Sequence, residues 1–140
     1  MDKRRVLALE WLKAAYDDLE SIRYIIHADH LTNIVAFHAQ QTIEKSFKAI
    51  LEFENTPFVK THNLEKFYSL LEKKPEIGMD ELMLVNELYI ESRYPGEMGL
   101  LPHGKPSPED AKEFFAFAEE VFGKVCEVLE IDKKGVLDDR

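Results

Sequence analysis

The chain has 140 residues, 45% of them apolar and 32% charged, with a formal net charge of −9. This length suits one domain able to bury a core without staples, and the single cysteine, Cys126, excludes an internal disulfide and a cysteine-based zinc site. The acidic balance argues against a generic nucleic-acid coat, so DNA is not expected as a partner, although a small local phosphate site is compatible with it.

The basic start, Met1 to Arg5, runs into Glu10, Lys13, Asp17 and Asp18 without an apolar stretch, so no signal peptide is expected. No apolar run approaches the ~20 residues that span a bilayer. The expectation is a cytoplasmic protein with no membrane partner. Residues 3–29 contain no Gly or Pro, and Ala8, Leu12, Ala15, Leu19, Ile22 and Ile26 recur at steps of three and four. That is one apolar helix face on a rod about 40 Å long. A second helix is expected from a Thr32 or Asn33 cap to Glu54, with Ala36, Ala39, Ile43, Phe47 and Ile50 inward. The run Asn55-Thr56-Pro57 ends it. A short helix is expected over 63–73, with Leu64, Phe67, Leu70 and Leu71 inward. A further long helix is expected over 79–93, with Leu82, Val85, Leu88 and Tyr89 inward.

Residues 94–106, YPGEMGLLPHGKP, hold three Pro and three Gly and read as a loop. It exceeds the ~2–8 residues usual between bundle helices, and loops of that length are often functional. Ser107-Pro108-Glu109-Asp110 then marks a helix start, with an N-cap serine, proline at the first helical position and acids in the first turn. Ala111, Phe114, Phe115, Ala118, Val121, Phe122, Val125 and Leu129 step along its apolar face. No segment alternates apolar and polar residues convincingly. The fold expected is all-α: an up-and-down antiparallel bundle of four long helices with one additional short helix. Residues 1–131 would form a single domain, and 132–140 would fray.

Three groups of polar residues stand out. His38, Gln41, Lys45 and Lys48 step by three and four along the second helix, with Glu44 beside them. They form either a solvated face or a polar groove against the fourth helix, able to hold a nucleotide or an RNA phosphate. Glu44 and Lys48 also make an i,i+4 pair that needs no function. In Thr61-His62-Asn63, either Thr61 or Asn63 suits the N-cap of the short helix, and His62 suits a hydrogen-bonded loop anchor. Asn86, Tyr89 and Arg93 share one face of the fourth helix. Arg93 is either a cation placed favourably at a helix C-terminus or, with His103 of the long loop, an Arg–His pair of the kind that metal-free RNA cleavage uses. No metal-ligand spacing and no glycine-rich phosphate loop occurs, so no metal or cofactor is expected. Cys126 falls within an amphipathic helix and reads as packing.

The string from Ala36 to Ala49, AFHAQQTIEKSFKA, resembles the signature of the HEPN domain (higher eukaryotes and prokaryotes nucleotide-binding). Thr61-His62-Asn63-Leu64 resembles that family's Thr-His-Asp-Leu turn. Tyr89 with Ser92-Arg93-Tyr94-Pro95 resembles its Tyr…Ala-Arg-Tyr-Pro, and Ala14, Asp17-Asp18-Leu19 and Ile22 resemble its opening helix. The resemblance covers about residues 4–130. It implies a helical bundle that is usually dimeric, and often partnered by a minimal nucleotidyltransferase in toxin–antitoxin modules. It implies a nucleotide-binding set of Gln41, Lys45, Lys48, His62, Tyr89, Arg93 and Tyr94. Catalytic members resemble metal-independent ribonucleases in which Arg, a polar residue and then His follow within four to six intervening residues. Here Tyr94 follows Arg93, and His103 comes after nine intervening residues. Three functions are therefore carried forward: a nucleotide-binding and interaction module, a ribonuclease toxin using Arg93 with His103 or His62, and a structural helical dimer. Dimerisation is also expected from Val6, Trp11 and Ile25, which fall off the main face of the first helix, and from Met98, Leu100 and Leu101 in the long loop.

Overall fold

A computed structural model describes residues 2–92 and 105–138. Among these residues every regular element is helical: α1 (Lys3–Ile25), a 3-10 turn (Asp29–Leu31), α2 (Thr32–Phe53), α3 (Leu64–Leu70), α4 (Met79–Ser92), α5 (Pro108–Val128) and α6 (Lys133–Asp138). No helix among them is long and apolar enough to cross a membrane.

The stepped apolar faces become the core. Ala8, Leu12, Ala15, Leu19 and Ile22 of α1 are buried against Ala39, Ile43, Phe47 and Ile50 of α2 and Ala118, Val121 and Val125 of α5. Helix α2 lies at the centre, in contact with α1, α3, α4 and α5. Pairings along the helices give their directions. Asp18 meets His38, Ala15 meets Thr42 and Trp11 meets Glu52, so α1 and α2 are antiparallel. Arg5 reaches Leu129, Tyr16 lies against Phe122 and Arg23 bonds Glu119, so α1 and α5 are antiparallel too.

Several helix ends differ from the sequence reading. The first rod stops at Ile25 rather than 29, because a tight turn over 26–31 reverses the chain. Neither Thr32 nor Asn33 caps α2. The 3-10 turn runs straight into the helix, Leu31 takes the cap position, and no side chain bonds there. Helix α3 ends at Leu70, three residues early. The Glu54 carboxylate accepts the backbone N–H groups of Glu72 (2.9 Å) and Lys73 (2.8 Å), and so holds the chain outside the helix. The ends of α2 and α5 share one closure. Asn55 and Glu130 adopt positive φ (59° and 54°), and the N–H groups of Thr56 and Ile131 return to the carbonyls of Leu51 and Cys126.

The tail is also corrected. Residues 133–138, expected to fray, form α6, started by the Asp132 carboxylate on the Lys134 N–H and held by the fully buried Val136. Lys133 lies over Gly123, where an added Cβ would sit 2.9 Å from its Nζ. Trp11 and Ile25, read as apolar surface left for a partner, are half-buried by the chain itself. Trp11 meets the Phe58 ring edge-on at 5.7 Å. Met98, Leu100 and Leu101 lie outside the described residues.

The start of α5 forms as the sequence reading has it. Ser107 Oγ accepts from the Asp110 N–H and the Asp110 carboxylate accepts from the Ser107 N–H, a reciprocal capping box with Pro108 at the first helical position. Ser107→Ala is expected to lower stability by about 1 kcal/mol. Urea unfolding followed by circular dichroism measures it, and an unchanged midpoint would show that the box contributes nothing.

A polar seam as the candidate functional site

The stripe on α2 is not a solvated face. His38, Lys45 and Lys48 are partly buried and meet carboxylates supplied by α1 and by α2 itself, and Gln41 meets the Gln40 amide. Asp18 of α1 falls three residues after Ala15 and four before Ile22, and thus on the core-facing stripe. It is buried, and its two oxygens are divided between helix neighbours. Oδ1 lies 2.7 Å from His38 Nδ1, and Oδ2 accepts from Lys45 Nζ at 2.7 Å. A carboxylate only accepts, so His38 Nδ1 is the donor in this contact.

The second carboxylate, Glu44, is 3% exposed. Its Oε2 accepts from Lys48 Nζ at 2.9 Å. Its Oε1 accepts from Gln40 Nε2 and from His62 Nδ1, each at 3.1 Å. Gln40 is fully buried and fully used: its Nε2 also donates to the His62 carbonyl, and its Oε1 accepts from Gln41 Nε2 at 2.7 Å. The Lys48 ammonium lies 5.0 Å from the Trp11 ring centroid, 5.7 Å from Phe58 and 5.5 Å from Phe67. His62 is therefore held as an anchor, by its ring on Glu44 and by its carbonyl on Gln40. Asn63, not Thr61, caps α3, accepting from the Lys66 N–H, while Thr61 Oγ1 accepts from the Asn63 N–H. Asn86 of α4 is buried, and its Oδ1 takes the Leu64 N–H at 2.9 Å, fixing the start of α3 against α4.

Each buried carboxylate thus bridges one lysine and one histidine. The sequence reading found His38, Gln41, Lys45, Lys48 and His62 but missed Asp18 and Gln40 as members. An aspartate in register with an apolar stripe was the available signal for Asp18. Tyr89 lies within α4, but its side chain is outside the described residues, as are Arg93, Tyr94 and His103 altogether. The endpoints of their segment are fixed: α4 ends at Ser92, and Lys105 Nζ donates to the His30 carbonyl (2.6 Å) beside the α1–α2 turn.

The electrostatics of the seam follow from its pairing. Burial pushes the Glu44 carboxyl up. The hydrogen bonds from Lys48, Gln40 and His62, with the Lys48 charge, outweigh it and leave the group below its ordinary value of 4.5. Burial pushes the Cys126 thiol up to about 11, so it stays protonated at neutral pH and is no nucleophile. No group of three His, Cys, Asp or Glu residues able to hold a metal ion occurs among the described residues. A cleft of about 360 Å³ at the far end of α2 is lined by Arg4, Phe53, Glu54, Glu72, Lys73 and Glu130, but Glu54 is already committed to backbone there.

The HEPN domain family model matches residues 8–129, and the chain belongs to that family of nucleotide-binding and ribonuclease-type modules. Comparison with curated proteins and with solved structures gave no match.

Two predictions test the seam. Lys45→Met leaves the buried Asp18 carboxylate with His38 as its remaining side-chain partner and is expected to cost about 2 kcal/mol, whereas Asp18→Leu with Lys45→Met is expected to recover most of it. Denaturant unfolding of the four proteins in the cycle measures the coupling, and additive single effects would show that the pair is not one unit. Glu44 has a lowered value in the folded chain, so its contribution is complete above the ordinary 4.5 and is lost as pH falls through the lowered value. The stability gap between wild type and Glu44→Gln is therefore expected to shrink between about pH 5 and pH 3. A gap independent of pH in unfolding titrations would refute the assignment.

Proposed function

We propose that the chain is a nucleotide-binding interaction module rather than a ribonuclease. It acts as a homodimer in the cytoplasm, paired with a minimal nucleotidyltransferase of the toxin–antitoxin type. Its helices form the up-and-down bundle of that family, with α3 as the short extra element. The nucleotide lies along the seam of Gln41, Lys45, Lys48 and His62, and is closed by Tyr89, Arg93 and Tyr94 at the end of α4.

The observation that carries this reading is the saturation of the seam. His38, Lys45, Lys48 and His62 are all held by buried carboxylates, so their positions are set before any ligand arrives. Fixed, partly exposed polar groups suit recognition, because little ordering remains to be done on binding. Two lysines matched by two carboxylates make the described seam close to neutral, so an anion needs a further cation, and Arg93 follows α4 directly. Against cleavage stands the spacing: nine residues separate Arg93 from His103.

Calorimetry with ATP and a short single-stranded RNA, beside an RNA-cleavage gel, tests the reading. Wild type is expected to bind without cleaving. Arg93→Lys is expected to keep the melting temperature and to bind at least about tenfold more weakly, since lysine cannot reproduce a two-pronged guanidinium contact. Cleavage by wild type that is lost in His103→Ala would make the protein a ribonuclease instead. Equal affinities without cleavage would leave only a structural role.

A further inference from the structure

Helix α4 combines two features, exposed apolar side chains and acidic charge without a base. Among its described side chains Leu82, Val85 and Asn86 are buried, and it packs on α2 and α3. On its other side the adjacent Met83 and Leu84 are 43% and 47% exposed. Singly exposed apolar residues need no explanation, but a cluster on one element does. Methionine is an adaptable contact residue at such surfaces.

The second feature is charge. Residues 79–92 carry Asp80, Glu81, Glu87 and Glu91 and no basic residue. Helix α1 pairs Lys13 with Glu10, and α5 pairs Lys124 with Glu120. No ion pair engages Asp80 or Glu87 among the described residues. At 100° per residue, Asp80, Met83, Leu84 and Glu87 share the side opposite Leu82 and Val85. The outward face of α4 is thus apolar at its centre and acidic at its rim, with no internal compensation.

We propose that this face is the docking surface for a different protein, one that presents apolar side chains ringed by lysine and arginine. A second copy meeting it through the same face would set Asp80 and Glu87 against the same two acids with no base between them, which disfavours an isologous contact. A basic rim satisfies both features at once: apolar contact in the centre and opposite charge at the edge. The inference rests on the reading above only in requiring a protein partner, and its location is independent of the nucleotide seam.

The probe is a fluorescein-labelled 14-residue Leu/Lys peptide that forms an amphipathic helix, with a Leu/Glu peptide as control, followed by anisotropy against the full chain. The Leu/Lys peptide is expected to bind, more weakly as salt rises, and the Leu/Glu peptide is expected not to bind. Met83→Ser with Leu84→Ser keeps the charge and is expected to weaken binding at least about tenfold, as is Asp80→Lys with Glu87→Lys, both at unchanged melting temperature. ATP affinity, measured in parallel, is expected to be the same in all three proteins. Full peptide affinity in the Met83→Ser, Leu84→Ser protein would reduce the effect to diffuse attraction by an acidic chain and overturn the proposal. So would a wild-type dimer, seen by sedimentation equilibrium, that this same variant converts to monomer, since a second copy would then occupy the face. Loss of ATP binding in wild type with the peptide results intact would remove the nucleotide reading and leave this one standing.

Discussion

The buried carboxylate of Asp18 is the constraint on which the rest of the bundle is arranged. An ionised group inside a helical interface is costly unless its oxygens are met, and here each oxygen takes one strong partner from α2 at 2.7 Å. Apolar faces alone would let α1 slide along α2 by a turn, since Ala, Leu and Ile can repack against one another. The contacts of Asp18 with both His38 and Lys45 admit one register. That register places Ala15 beside Thr42 and Trp11 beside Glu52, and so brings Trp11 over Lys48. The second carboxylate extends the same logic from α2 to the loop before α3. Glu44 and Gln40 together fix the ring and the carbonyl of His62, and Asn86 brings in α4.

Polarity here thus serves specificity more than stability. Hydrophobic burial supplies the driving force, and the polar seam selects one arrangement from those that burial would accept. The saturated seam also explains how a chain of net charge −9 can keep histidine and lysine side chains aligned along one helix. Each basic group has a resident counter-charge, so the array does not depend on a bound anion for its shape.

Much of the architecture was legible in the sequence because helical periodicity is a local property. The inward residues of α1, α2 and α5 follow from steps of three and four, and the Ser107 start follows from capping chemistry. What was not legible depended on distant partners. The end of α3 is decided by Glu54, just past the end of α2, and the tail becomes α6 because Val136 finds the core. The α2 stripe could be identified but not oriented, since 3.6-residue spacing says which residues share a face and not what that face meets. Asp18 was passed over for a related reason: a single acid in an apolar stripe can mark a helix edge as easily as a buried partner. His62 as an anchor was readable from its place before a capped helix, whereas its Glu44 partner was not, being 18 residues away.

The setting of Lys48 has a consequence for the reactivity of its amine. Acylating and alkylating reagents attack the neutral amine, which must first give up its proton and leave any counter-ion. Here the ammonium is held by Glu44 at 2.9 Å and flanked by the rings of Trp11, Phe58 and Phe67, which leave a reagent little room to approach. Exposed lysines such as Lys60 or Lys112 have no comparable enclosure and will be modified first. The modification rate of Lys48 thus becomes an internal clock for the opening of the seam, because a reagent gains full access to the amine when α1 and the residue 58 loop move away from α2.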